Sequence, residues 1–191
     1  MEMKIRLATL DDAEKILEIY SYYVEKTAIS FEWTVPTLEN FILRMKRSMK
    51  KYPYLVAVRG EKIIGYAYAH EFILREAYKY SSELTIYLDK NFRRQGAGKK
   101  LYSELEKILR EMGILNLYAC IGSLEVADEF LNDDSEIFHK KMGFHFVGRF
   151  KKCGYKFGRW YDMIWMEKLS ANIYKNFFFC YNAENFLLRG V

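Results

Sequence analysis

The sequence predicts a mixed α/β (α+β) chain, in which about four helices cover a twisted, mostly antiparallel sheet of about seven strands. Three observations carry this. The hydrophobic period switches repeatedly between two and about 3.6 residues along the chain. The switches come in the order strand, two helices, three strands, helix, strand, helix, two strands. The composition, 51% hydrophobic with 16 Tyr, 14 Phe and 3 Trp against only 2 Pro, opposes disorder and favours strands around a packed core.

Taken in order, Ile5 and Leu7 alternate with Lys4 and Arg6 as a short first strand. Thr9, three residues before Asp12, is a helix-start signal. Ala13, Ile16, Leu17, Tyr20, Tyr23 and Val24 then form one apolar stripe. A second helix starts near Thr37, after Pro36, with Leu38, Phe41, Ile42, Met45 and Met49 inward. The loop between them, Thr27 to Val35, carries Ile29, Phe31 and Trp33, which either line a site or pack on the core. Tyr54–Arg59 and Lys62–His70 read as strands joined at Gly60-Glu61. Glu83 to Asp89 is a further strand, with Leu84, Ile86 and Leu88 on one face and Glu83, Thr85 and Tyr87 on the other.

A basic loop, Arg93 to Gly98, follows. It leads into a helix with Ala97, Leu101, Leu105, Ile108, Leu109 and Met112 inward and Gly113 at its end. Leu115 to Ile121 is a strand. The loop from Gly122 to Leu131 carries Glu125, Asp128 and Glu129, and a short helix runs from Asp133 to Met142 with Asn132 as N-cap. Two last strands, Phe144 to Cys153 and Tyr155 to Lys168, fold back around Gly154. The chain therefore reads as one domain, 1–169, followed by an aromatic-rich extension, 170–191, that has no clear period and no assigned role.

Several classes drop out. A net charge of +5, from 30 basic and 25 acidic residues, is too mild and dispersed to argue for nucleic acid. Apolar runs fall well short of a membrane span. The start of the chain lacks the layout of a signal peptide. Cys120, Cys153 and Cys180 are odd in number and widely spaced, so no zinc site or disulfide framework is expected. They read as free, mostly buried thiols of a cytoplasmic protein, and no metal is expected.

The strongest local feature is strand, basic glycine loop and helix start between residues 83 and 112. Unpaired amides and the helix dipole at such a place suit a pyrophosphate. Gly96 and Gly98 let the backbone approach closely, and Arg93, Arg94, Lys99 and Lys100 add charge. A P-loop would need Gly at 93 and Ser or Thr at 100, and a dinucleotide fingerprint would need Gly at 101. Neither is met. Taken by itself the loop is either an anion site or a plain helix start.

Arg93-x-x-Gly96-x-Gly98 resembles the coenzyme A loop, Q/R-x-x-G-x-G/A, of the GCN5-related N-acetyltransferases (GNAT family). Other landmarks follow in order. Asn132-x-x-Ser135 precedes a helix ending in Lys140-Lys141-Met142-Gly143-Phe144. The match runs from about Ile5 to Lys168. Within the family the chain is most similar to the phosphinothricin and methionine sulfone/sulfoximine acetyltransferase branch. The residues that carry this are Arg75-x-Ala77-Tyr78, Glu83-x-x-Ile86-Tyr87-Leu88, His139 and Gly154-Tyr155-Lys156-x-Gly158-Arg159-Trp160-x-Asp162.

The resemblance implies the GNAT fold and acetyl-CoA as cofactor. The backbone of Ile86, Tyr87 and Leu88 would bond the pantetheine arm. The stretch Arg94, Gln95, Gly96, Ala97, Gly98 and Lys99 would hold the pyrophosphate, with Arg93 at its rim. Asn132 would bond the cofactor arm, with Ser135 close by. Glu83 would be the base that deprotonates the amine, directly or through water; the alternative is a carboxylate paired with a basic neighbour. The Leu88 amide, freed by a strand bulge, would serve the oxyanion. His139 would protonate the leaving thiolate; the alternative is a packed, hydrogen-bonded histidine. His70 and His145 read as structural. Phe31, Glu32, Arg75 and Tyr78 would contact substrate, with a solvated loop charge as the alternative for Arg75.

The function expected is acetyl transfer from acetyl-CoA to the primary amine of a small amino acid or analogue, by direct attack in a ternary complex. No nucleic-acid or membrane partner is expected, and the resemblance is compatible with a homodimer. Acetylation of a protein N-terminus or lysine is the alternative within the family. A non-catalytic acyl-CoA-binding or RNA-binding module is the alternative outside it.

Overall fold

The computed structural model describes residues 2–169, so the extension 170–191, with Cys180 and the run Phe177-Phe178-Phe179, lies outside the described residues. The elements are β1 (Met3–Leu7), α1 (Ala13–Lys26), α2 (Leu38–Met49), β2 (Tyr54–Arg59), β3 (Lys62–Glu71), β4 (Ser81–Leu88), α3 (Ala97–Glu111), β5 (Asn116–Ser123), α4 (Asp134–Lys141), β6 (His145–Lys156) and β7 (Arg159–Leu169). Three short 3₁₀ turns lie at Leu10–Asp12, Glu76–Tyr78 and Lys90–Phe92.

The strands form one sheet in the order β1-β2-β3-β4-β5-β7-β6. Every pairing is antiparallel except β4 with β5, which is parallel and covers only Ser81–Glu83 against Asn116–Tyr118. Past Glu83 the two central strands part. From Leu84 to Leu88, β4 keeps β3 on one side and has no ladder partner on the other.

Helices cover both faces. α3 places Leu101, Tyr102, Leu105 and Leu109 against Leu84, Leu117, Ala119 and Ile164. α1 and α2 place Ile16, Tyr20, Tyr23, Phe41 and Met45 against Tyr54, Val56 and Tyr66. Each large apolar side chain buried in this way contributes roughly 1.5–3 kcal/mol. The predicted alternation along β4 holds: Leu84, Ile86 and Leu88 join the α3 side and Tyr87 the α1 side.

The helix signals act as expected at two places. The Asp12 carboxylate accepts the Thr9 N–H at 2.8 Å, and Thr37 accepts the Asn40 N–H. Arg6, bonded to both Asp12 oxygens, holds the Asp12 carboxyl below its ordinary range.

Other expectations are corrected. The last hairpin turns at Phe157-Gly158, both at positive φ (49° and 77°), the conformation that suits a two-residue hairpin turn. Gly154 is instead inside β6, opposite Tyr161, where a Cβ would overlap the Phe31 ring. α4 begins at Asp134 rather than Asp133, and Asp133 holds the N-cap position predicted for Asn132. The Asn132 side chain still accepts the Asp134 N–H, at 3.1 Å. Leu38, expected inward, is 40% exposed at the first turn of α2. Cys120 and Cys153, expected buried, are exposed.

Candidate active site

The opening between β4 and β5 points at the start of α3. Gly96 takes φ 85° immediately before the first residue of this 15-residue helix, and the space where its Cβ would stand is open. The first amides of α3 have no intrahelical acceptor. Gly98 packs under Phe138 of α4 and Ile86 of β4, at 3.1 and 3.5 Å from the place of a Cβ. A free strand edge, an open glycine turn and a helix N-terminus thus adjoin one another, with Gly98 of α3 against Ile86 of the edge. This is a fit to an elongated ligand that ends in an anion.

The charges predicted around this loop divide. Lys99 and Lys100 are exposed. Arg94, at φ 59°, pairs with Asp134 at 2.9 Å and lowers the Asp134 carboxyl. Gln95 accepts from Arg59 at 2.7 Å. Arg93 turns away from the loop and lies over the Tyr23 and Tyr22 rings, at 5.2 and 5.8 Å. Asn132 is exposed and bonded to Asp134, and the Ser135 carbonyl is occupied by His139.

Leu88 is directly opposite Gly65, and the β3–β4 register runs without a shift, so no bulge frees its amide. The departure of β5 exposes it instead. The Leu88 N–H donates to the Tyr23 hydroxyl at a loose 3.3 Å, while that hydroxyl donates to the Leu88 carbonyl at 2.5 Å. Tyr23 therefore orients both Leu88 groups from α1, a role its place in an apolar stripe did not signal.

On the α1 side of the sheet, Tyr54, Tyr66 and Tyr68 stack nearly parallel, with neighbouring rings 4.6–6.3 Å apart. With Tyr20, Tyr87, Phe41, Met45 and Ser48 they enclose a cavity of about 110 Å³, at which Glu32 and Arg44 form an ion pair. Burial pushes the Tyr54, Tyr66 and Tyr87 phenols well above their ordinary range, so this wall is neutral. Glu83 stands on the same face of β4 as Thr85 and Tyr87. Desolvation raises its carboxyl, and His70 partly offsets this. His70, expected to be structural only, faces Glu83 with Nε2 at 3.8 Å from Oε1. The two residues are register partners across β3 and β4, a relation that no sequence period discloses.

Phe31 is half-buried. Its ring covers Gly154 and tilts against Tyr161 at 6.3 Å. Trp33 is exposed beside Tyr155. The loop that carries them is fixed by Lys156, a buried side chain whose Nζ donates to the carbonyls of Val24, Thr27 and Ser30 at 2.7, 2.9 and 2.7 Å. The ammonium also meets the negative end of the α1 dipole. Arg75 and Tyr78 sit apart from this group, exposed on the β3–β4 connection, where Tyr78 packs edge-on to Phe72. Asp128 of the acidic loop accepts from the Phe130 and Leu131 amides and from Arg159 and Tyr161, so it organises the loop.

His139 is buried in α4. A carbonyl only accepts, so Nδ1 donates to Ser135 O at 2.7 Å, and Nε2 accepts from the Tyr102 hydroxyl at 2.9 Å. Burial pushes its pKa down to about 4. The ring is neutral near pH 7 and both nitrogens are engaged.

Residues 5–165 match the family described as the Acetyltransferase (GNAT) domain. The chain is similar to a phosphinothricin N-acetyltransferase of Streptomyces viridochromogenes, 31% identical over 161 residues and 84% of each protein. It is also similar to an L-methionine sulfoximine/L-methionine sulfone acetyltransferase of Salmonella typhimurium, 30% identical over 86% of this chain and 93% of that one. Among solved structures, a GNAT superfamily phosphinothricin acetyltransferase from Sinorhizobium meliloti in complex with AcCoA superimposes with a TM-score of 0.80. It is 33% identical and covers 88% of this chain and 89% of that one.

Proposed function

Starting from the fact that this chain belongs to the GNAT acetyltransferase family, we propose that it transfers an acetyl group from acetyl-CoA to the primary amine of a small amino acid or amino-acid analogue. Methionine sulfone, methionine sulfoximine and phosphinothricin define the type of acceptor. The parting of β4 from β5 above Glu83 carries this reading, because it leaves a strand edge that leads to the glycine turn on one face and a raised-pKa carboxylate on the other. Acetyl-CoA supplies the acyl group as an activated thioester.

The backbone of Ile86, Tyr87 and Leu88 receives the arm of that ligand in the manner of an added strand. The amides of Gly96, Ala97, Gly98 and Lys99 receive its pyrophosphate. Glu83 takes a proton from the acceptor ammonium, and its raised pKa brings it closer to the working pH of a general base. The Leu88 N–H, oriented by Tyr23, donates to the acyl oxygen as charge develops there. Phe31 and Glu32, on the loop held by Lys156, bound the acceptor side together with the tyrosine-lined cavity. Arg75 and Tyr78, exposed on the β3–β4 connection, would meet an acceptor carboxylate from the rim. His139 packs α4 against α3 and is not assigned a proton-transfer step.

The test is thiol release with a panel of free amino acids, the three analogues, and peptides with a free N-terminus or lysine. Turnover that depends on both acetyl-CoA and a small α-amino acid, at least tenfold above peptide, is expected. Preferential turnover of peptides would replace the small-molecule reading with protein acetylation. Absence of thiol release across the panel, with acetyl-CoA binding retained, would leave a binding module.

A further inference from the structure

The sheet register places His70 of β3 directly opposite Glu83 of β4, on the face that carries Tyr68 and Tyr87. Two contacts fix the imidazole. Its Nδ1 is 3.0 Å from the Glu71 carbonyl oxygen, and its ring tilts against Tyr68 at 5.9 Å. A carbonyl oxygen only accepts, so Nδ1 carries hydrogen in the neutral ring and the Nε2 lone pair is left over. That lone pair is the ring atom nearest Glu83, 3.8 Å from Oε1. The two side chains also differ in access to water: Glu83 is 18% exposed and His70 35%.

We propose that His70 is the second member of an acid/base pair with Glu83 and relays the acceptor's proton from Glu83 to solvent. The proposal rests on the reading of Glu83 as the base. The steps balance. An N–H bond of the acceptor ammonium breaks as Glu83 Oε forms an O–H bond. That O–H bond breaks as His70 Nε2 takes the proton, which restores the carboxylate and leaves an imidazolium. The imidazolium returns its proton to water, to which the partly exposed His70 side chain has access. The separation of 3.8 Å closes by a small turn of the Glu83 side chain or across one water.

The chemistry favours this partner for Glu83. A carboxyl group held in a desolvated place must be cleared of its proton in every cycle, and an imidazole nitrogen with a free lone pair is the basic atom set against it. Tyr118 of β5 is the register partner of Glu83, and burial raises its phenol. The remaining titratable groups around Glu83 are Tyr68 on β3, Tyr102 on α3 and Cys120 on β5. All three are raised, first by desolvation and then in part by the Glu83 charge, and so stay protonated. The Glu71 carboxylate beside His70 is turned to Lys51, at 2.6 Å.

The test compares wild type, His70→Ala and Glu83→Gln at saturating acetyl-CoA and acceptor, each above a control without enzyme. For His70→Ala the expected result is a kcat about tenfold lower, a KM for acetyl-CoA within about twofold of wild type, and recovery of kcat in proportion to added imidazole buffer. A structural role for His70 would not produce that recovery. An unchanged kcat, or a lowered kcat that imidazole does not raise, overturns the relay. Glu83→Gln separates the two readings. If it is impaired while His70→Ala is not, only the relay fails. If Glu83→Gln keeps wild-type turnover, the assignment of Glu83 as base fails and takes the relay with it.

Discussion

The two sides of β4 are built in different ways. On the side of α3 and α4, the groups offered to a ligand are backbone: the strand edge from Leu84 to Leu88, the turn at Gly96 and the first amides of α3. The side chains there stand aside or pair with one another, as Arg94 does with Asp134 and Arg93 with the Tyr22 and Tyr23 rings. On the side of α1, α2 and the β6–β7 hairpin, the surface is side chain throughout: the tyrosine row, Phe31, the Glu32–Arg44 pair and the Glu83–His70 pair. Backbone groups bind a ligand whose shape never varies, and they tolerate side-chain change. A wall of side chains can be altered residue by residue, and in the proposed reaction it would set selectivity for one amine over another.

His139 breaks this division, because it is a side chain that supports the backbone-built side from beneath. The measurement with the largest expected effect addresses it. The folded protein holds His139 at a pKa of about 4, whereas an unfolded chain titrates it near 6.5. Between those values the unfolded state binds more protons, so stability falls as pH drops from about 6.5 to about 4, by about 3 kcal/mol. Urea titrations at pH 7 and pH 4.5 are expected to show a smaller loss for His139→Gln than for wild type. The carboxylates lowered by their partners, such as Asp12 and Asp134, lose their contribution in both proteins at still lower pH and cancel in the difference. An equal loss in both proteins would refute the neutral, buried assignment.

Lys156→Met tests the side-chain-built half. It leaves the carbonyls of Val24, Thr27 and Ser30 without their donor and is expected to cost about 2 kcal/mol. The KM for the acceptor should rise severalfold while the KM for acetyl-CoA stays put. A parallel rise in both would show that Lys156 does not serve the acceptor side selectively.

Gly98→Val makes the opposite demand. Its added carbons meet Phe138 and Ile86, and displacing them costs roughly 1–3 kcal/mol. Acetyl-CoA is expected to bind about tenfold more weakly by calorimetry, with the acceptor KM unchanged. Unaltered cofactor affinity would count against the glycine turn as its site.

The smallest effect belongs to Arg94→Ala. An exposed pair such as Arg94–Asp134 contributes about 0–1 kcal/mol, so cofactor affinity should change less than about fivefold and the change should fade at high salt. A loss as large as that of Gly98→Val would mean that charge, not backbone, holds the pyrophosphate.

Much of the backbone-built side was legible in the sequence. Alternation along residues 83–89 assigned Leu84, Ile86 and Leu88 to the α3 face, and the spacing of Gly96 and Gly98 located the turn. These are short-range properties, because period and glycine conformation act within a few residues. The side-chain-built half was less legible. His70 and Glu83 are 13 positions apart in sequence, Lys156 is more than a hundred from the carbonyls it bonds, and Tyr23 read as one more member of an apolar stripe. Gly154 misled for a related reason: glycine marks both a turn and a close approach of another ring, and only the position of Phe31 decides between them.

The sequence by itself therefore determined the order and type of the elements, the faces of the strands and helices, and the loop at the head of α3, since local propensity and periodicity encode them. The tertiary structure decided where β4 and β5 part, which histidine meets the carboxylate, that both nitrogens of His139 are engaged in the core, and what holds the α1–α2 loop. Each of these depends on register or on contacts between distant segments. A shift of one residue in strand register would turn His70 or Glu83 to the opposite face and separate the pair, and no pattern within either strand records which register the sheet adopts.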